Sequence, residues 1–132
     1  MSIAAQSAPS SADAPSVIVL SSEEVLRDAV AYWFNSLSVP TVATADGYEA
    51  NRALKHGAVG LLITDRLLPP WPGLDTFRDL QSANPRLRVA YVDDGSWDGA
   101  ILARIAGATV ILSRPLDRRR VIEALGRPEL LA

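Results

Sequence analysis

Cysteine is absent from this 132-residue chain, which excludes disulfides, thiolate metal sites and cysteine nucleophiles. Only one histidine is present, His56, so no two-histidine metal site can form. It precedes Gly57 and reads as a residue at a helix end, where it would cap. Neither sign of charge prevails: 13 Lys and Arg stand against 15 Asp and Glu, for a net charge of −2. No global field therefore favours nucleic acid or an anionic membrane. No apolar run approaches the roughly 18–20 residues of a spanning helix. The N-terminus lacks a basic stretch followed by an apolar core, so no signal peptide is expected. A Ser-His-Asp triad, a phosphate-cradling glycine loop and a dinucleotide fingerprint are all missing, and no enzymatic activity is expected.

What remains is ordinary for a soluble domain, with 48% apolar and 21% charged residues. The length suits one domain with a real core. Twelve of the 13 basic residues are arginine and alanine is abundant, a composition that points to a GC-rich bacterial genome. The lack of cysteine is compatible with a reducing cytoplasm, the expected location.

Residues 1–15 are small, polar and proline-bearing and are expected to form a flexible tail. The domain is expected over 16–126, followed by a short tail over 127–132. Val17-Ile18-Val19-Leu20 suits a strand buried on both faces. Ser21 or Ser22 can cap the next helix, with Glu23 and Glu24 near its positive end. Leu26, Ala29, Val30, Trp33, Phe34 and Leu37 recur at helical spacing and make its apolar face, and Pro40 is expected to stop it. Thr41–Thr44 reads as a second strand, and Asp46 as the cap of a helix running to about Lys55. A third strand spans Leu61–Thr64, a helix Leu74–Ala83, and a fourth strand Leu87–Val92. Another helix runs from Trp97 to Ala106 and stops at Gly107. The fifth strand is Val110–Ser113, and the last helix runs from Asp117 to about Leu125. Strands alternating with helices through short connections argue for an α/β fold. The expected architecture is a doubly wound five-stranded parallel sheet of order 2-1-3-4-5 with five helices, flavodoxin-like.

Asp65 ends the third strand, at the sheet edge where open α/β sheets place functional groups. The segment GLLITDRLLPPWPGLD, with Asp65, Pro69 and Gly73, resembles the acceptor segment of response regulator receiver domains in two-component signalling. VILSRPLD resembles that family's lysine-proline segment, with Arg114 in the lysine position and Pro115 in the proline position. The resemblance covers Ser16 to about Leu125. It implies a phospho-accepting aspartate at Asp65, a histidine kinase or another regulator as partner, and Mg²⁺ held by flanking carboxylates.

Five positions depart from that pattern. Ser21 and Ser22 stand where the metal-binding carboxylates belong, and hydroxyls are poor substitutes for Mg²⁺. Asp93 replaces the hydroxyl residue that would bond a phosphoryl group. Arg114 keeps the charge of the lysine but has a planar fork. Ile111 fills the aromatic switch position. The expectation is an atypical pseudo-receiver that binds proteins and undergoes little or no Mg²⁺-dependent phosphorylation, without a cofactor. Arg114 is expected to bridge Asp65 and Asp93, and Glu23 to point along its helix. The alternative is a working acceptor, with Glu23 and Asp65 completing an unusual Mg²⁺ site.

Other features are weighed against plain roles. Arg118-Arg119-Arg120 reads as a solvated helix face, since no DNA-binding motif accompanies it. Val25 and Tyr32 lie seven residues apart on the first helix and form a candidate partner surface. Trp71 and Trp97 lie beside the cleft and are candidates for a protein contact or a cover, whereas Trp33 belongs to the core. A homodimer is a further possible assembly.

Overall fold

The computed structural model describes residues 16–55, 59–66 and 75–131, except for the side chain of Trp97. The 1–15 tail, His56, Gly57, Pro69, Trp71 and Gly73 lie outside the described residues.

Five strands form: β1 (Val17–Leu20), β2 (Thr41–Thr44), β3 (Leu61–Thr64), β4 (Arg88–Val92) and β5 (Val110–Leu112). They alternate with α1 (Glu24–Asn35), α2 (Gly47–Lys55), α3 (Thr76–Ala83), α4 (Trp97–Ala106) and α5 (Arg118–Glu123). All described pairings are parallel and the order is β2-β1-β3-β4-β5, the expected doubly wound sheet.

The central strands are apolar throughout because both faces are covered. Val17, Val19, Leu61, Ile63, Ala90, Val92 and Leu112 pack on one side against Leu26, Val30 and Phe34 of α1 and Val121 and Ile122 of α5. The alternate residues Ile18, Leu20, Leu62 and Val89 pack on the other side with Ala50 and Leu54 of α2, Phe77 of α3 and Ala106 of α4. The period of two along each strand thus divides the core between two helical layers. Trp33 is half-buried and packs against the first of these clusters.

Several boundaries have local causes. Asp46 caps α2 by accepting the Tyr48 amide at 2.9 Å, and Asp117 caps α5 by accepting the Arg120 amide at 3.2 Å. Gly107 closes α4 at φ 109°, the left-handed region that glycine enters without a Cβ clash. α1 stops at Asn35, well before Pro40. The chain reverses through Ser38 at φ 60°, and the Val39 amide returns to the Phe34 carbonyl at 3.0 Å. After α5, Pro128–Leu131 form a 3₁₀ turn whose Leu130 and Leu131 pack on the α1/α5 side of the core. Among the described residues no helix is long and apolar enough to cross a membrane.

Candidate functional site

A parallel sheet brings the carboxyl ends of its strands to one edge. β1 and β3 pair with Leu20 opposite Thr64, so Ser21 and Asp65 leave their strands side by side. Ser21 is fully buried. Its hydroxyl donates to Asp65 Oδ2 at 2.7 Å and accepts the Glu23 amide at 3.0 Å. Its carbonyl accepts from Arg27 Nη1 at 2.8 Å. Each polar atom of this short residue is used, which is how a buried hydroxyl avoids a desolvation cost. Ser22, by contrast, is exposed.

Arg114 closes the edge. Its guanidinium donates to both carboxylate oxygens of Glu23, at 3.2 and 2.5 Å, the fork-to-fork pairing that favours arginine over lysine. The same Nη2 lies 3.7 Å from Asp65 Oδ2. Asp65 is the most enclosed of the three, its side chain 14% exposed.

Two expectations are corrected here. Glu23 does not point along its helix. It is the N-cap residue, with extended backbone at φ −85° and ψ 114°, and its side chain crosses to the β5–α5 connection. Arg114 meets Asp65 as expected, but Glu23 takes the place foreseen for Asp93. Asp93 instead accepts the Gly95 amide at 3.3 Å, an Asx turn that starts the connection to α4. Asp94 accepts the Ser96 hydroxyl at 2.7 Å and the Ser96 amide at 2.9 Å, and these bonds hold its carboxyl below the usual range. Pro115 follows Arg114 through a cis peptide bond.

Ile111 is half-buried and stands in register with Tyr91 of β4. Tyr91 went unnoticed in the sequence, although it precedes Asp93 by two residues and so shares its face of the strand. It is buried at 5% exposure. Burial first, and then Asp94, Asp93, Asp65 and Asp98, push its hydroxyl above the ordinary value. Val25 and Tyr32 are 80% and 71% exposed on α1, so they are not core residues. Trp97 opens α4.

The donors suit a divalent cation poorly. Mg²⁺ requires near-octahedral oxygen ligands and commonly two carboxylates. Here Asp65 faces the cleft with a guanidinium beside it, Ser21 is committed to Asp65, and Glu23 is committed to Arg114. Among the described residues no group of three or more His, Cys, Asp or Glu could hold a metal. The arrangement neutralises Asp65 with a fixed cation and a hydroxyl donor, using the protein's own groups.

Comparison with known proteins agrees with this fold. The family model of the response regulator receiver domain matches residues 17–126. The response regulator protein PilR of Pseudomonas aeruginosa is 30% identical over 107 residues, which cover 80% of this chain and 24% of PilR. The chain thus spans about a quarter of that relative. A response regulator from Thermotoga maritima superposes with a TM-score of 0.70 at 19% identity, covering 86% of this chain and 98% of that one. The receiver domain of a Pseudomonas aeruginosa sensor histidine kinase, solved with magnesium coordinated in its active site cleft, gives a TM-score of 0.66 at 19% identity, covering 84% and 97%. These two likenesses concern the fold alone. With the family match covering β1 through α5, the strand order, and Asp65 at the tip of β3, this chain belongs to the response regulator receiver domain family of two-component signalling.

Proposed function

We propose that this receiver domain is atypical: it acts by protein–protein contact, with little or no Mg²⁺-dependent phosphorylation of Asp65, and is not an enzyme. The observation that carries the reading is the closure of the cleft by Arg114, bound to Glu23 and 3.7 Å from Asp65. A guanidinium and the Ser21 hydroxyl supply to Asp65 what a metal ion would otherwise supply, so one conformation is held without phosphate. Partners consistent with the family are a histidine kinase or another regulator in the cytoplasm. The exposed Val25 and Tyr32 on α1 are the candidate contact surface.

A second reading, a working phospho-acceptor, is favoured by one detail: both contacts to Asp65 fall on Oδ2. Incubation with a small phosphodonor and Mg²⁺, followed by intact-mass measurement, separates the two. The expected result is no phosphoryl adduct. An adduct that disappears in Asp65→Ala establishes the second reading.

A further inference from the structure

The segment that follows α5 has a fixed root. Ala124 and Leu125 are buried, and the Ala124 carbonyl accepts from Arg88 Nε at 2.7 Å. That bond ties the end of α5 to the first residue of β4. A Cβ added at Gly60 would stand 3.1 Å from Leu125 Cδ1, and one at Gly126 3.2 Å from Arg88 Cδ. Two glycines therefore shape the seat, one beside the leucine and one against the arginine stem. Gly126 also takes φ 76°, the left-handed region that turns a chain out of a helix.

Beyond Gly126 the attachment changes in kind. Arg127 pairs with Glu129 at 3.1 Å, and the Leu130 amide donates to the Arg127 carbonyl at 3.1 Å. Both contacts are internal to the segment. Among the described residues, no hydrogen bond or ion pair joins 127–131 to the rest of the domain. Arg127, Pro128 and Glu129 are exposed, and the grip on the core comes from Leu130 and Leu131, both half-buried. The fit against α5 is loose. A cavity of about 310 Å³ opens there, lined by Arg119 and Glu123 of α5 and by Gly126, Arg127, Pro128 and Leu131, whereas close-packed protein leaves few voids larger than a water molecule.

A fixed root, a glycine pivot, an internally bonded unit and a grip of two leucines together make a strap. We infer that Arg127–Leu131 is a releasable cover over the apolar layer shared by α1 and α5, swinging about Gly126 while Arg88 holds the root. Segments with few buried contacts open at a small fraction of the free energy that unfolds the whole domain. The cluster under the strap is the one against which Trp33 and Leu37, at the end of α1, also pack. Release bares that surface, and a protein that presents apolar side chains to it competes with Leu130 and Leu131. The strap goes beyond the proposed function. Neither the charge of Asp65 nor a phosphoryl adduct enters it, so the two are tested separately.

The absence of native cysteine allows a single spin label, at Glu129→Cys, in the full nitrogen-15-labelled chain. Its strongest paramagnetic broadening is expected on amides 119–123 of α5 and 33–37 at the end of α1, and not on α2 or α3 across the sheet. Leu130→Ser/Leu131→Ser in the same labelled chain is expected to reduce that broadening severalfold. Binding of the apolar dye anilinonaphthalene sulfonate should rise severalfold, while the amides of β1, β3 and β4 keep their shifts. If those strand amides move as well, the milder pair Leu130→Ala/Leu131→Ala is read in the same way. Broadening that survives loss of both leucines overturns the inference, because something other than the apolar grip then holds the segment. Broadening spread evenly over the labelled parent overturns it too, since the strap is then never closed. Dye binding that stays unchanged on release shows that the segment covers nothing, which also overturns it.

Discussion

Ser21 donates its hydroxyl to Asp65 across 2.7 Å, and this bond joins the ends of two neighbouring parallel strands. Replacing Ser21 with alanine removes the donor while leaving Asp65 enclosed. Loss of such a bond to a charged group costs on the order of 1–3 kcal/mol. Ser21→Ala is therefore expected to lower the denaturation midpoint at neutral pH. In an Asp65→Asn background the further cost of Ser21→Ala should be smaller, a double-mutant-cycle measurement. Equal costs in both backgrounds would show that the serine acts through its other contacts.

The ion pair between Arg114 and Glu23 is half open to water, the side chains being 34% and 49% exposed. Solvent screening limits such a pair to about 0.2–1 kcal/mol. Glu23→Gln should thus lower thermal stability only slightly, and the difference from the parent should shrink as salt is raised. A loss well above that range, insensitive to salt, would mean the pair is far more enclosed than its geometry indicates.

Restoring acidic residues tests the metal argument directly. In Ser21→Asp/Ser22→Asp, two carboxylates return beside Asp65, and Mg²⁺ is expected to raise the melting temperature as ligand binding to the native state requires. The parent chain should show no comparable rise. If Mg²⁺ stabilises the parent equally, the cleft binds the ion through donors other than these.

Tyr91 should ionise later than its ordinary value of 10.0, because burial and the carboxylates around it oppose the tyrosinate. A tyrosinate absorbance titration should contain a late component that vanishes in Tyr91→Phe. The unfolded chain loses this proton first, so stability is intact below pH 10 and falls as pH rises through the folded-state value. The pH dependence of unfolding in Tyr91→Phe should lack that contribution.

Val25 and Tyr32 are exposed, whereas Leu26 beside them is buried at 5%. Val25→Glu and Tyr32→Glu should change stability by no more than about 0.5 kcal/mol each. Leu26→Ala should cost roughly 2–5 kcal/mol through loss of packing and the cavity left behind. Similar costs at all three positions would mean that the α1 outer face is packed against something in the native molecule.

The sheet was legible in the sequence because β-branched and leucine runs such as Val17–Leu20 and Leu61–Thr64 are short, apolar and separated by helical periodicity. Parallel order then followed from the connections. Asp65 was legible because it follows the end of a strand, and Arg114 because VILSRPLD resembles the family's lysine-proline segment. Glu23 was expected to point along its helix because a run of polar residues looks helical, and only its extended backbone turns it across the cleft. Asp93 was assigned to Arg114 by opposite charge at neighbouring strand tips, whereas its own Asx turn claims it first. Tyr91 carries no mark in the sequence beyond its place in the strand Leu87–Val92. Nothing local reveals that its hydroxyl ends beside a glycine eight positions later on the next helix. Strand periodicity sets which face a residue occupies, but side-chain reach across a connection depends on backbone angles that periodicity does not encode.

Arg114 and Glu23 are separated by 91 positions in the chain, yet their contact fastens the entry of α1 to the exit of β5. α1 and α5 also pack against one another on the same side of the sheet. The rim is therefore clasped, and release at one end is felt at the other. A protein that prefers α1 with Glu23 set free must weaken any ligand that prefers Arg114 held in place, and the reverse holds with equal free energy. Two surfaces that share no residue can in this way compete for a single guanidinium.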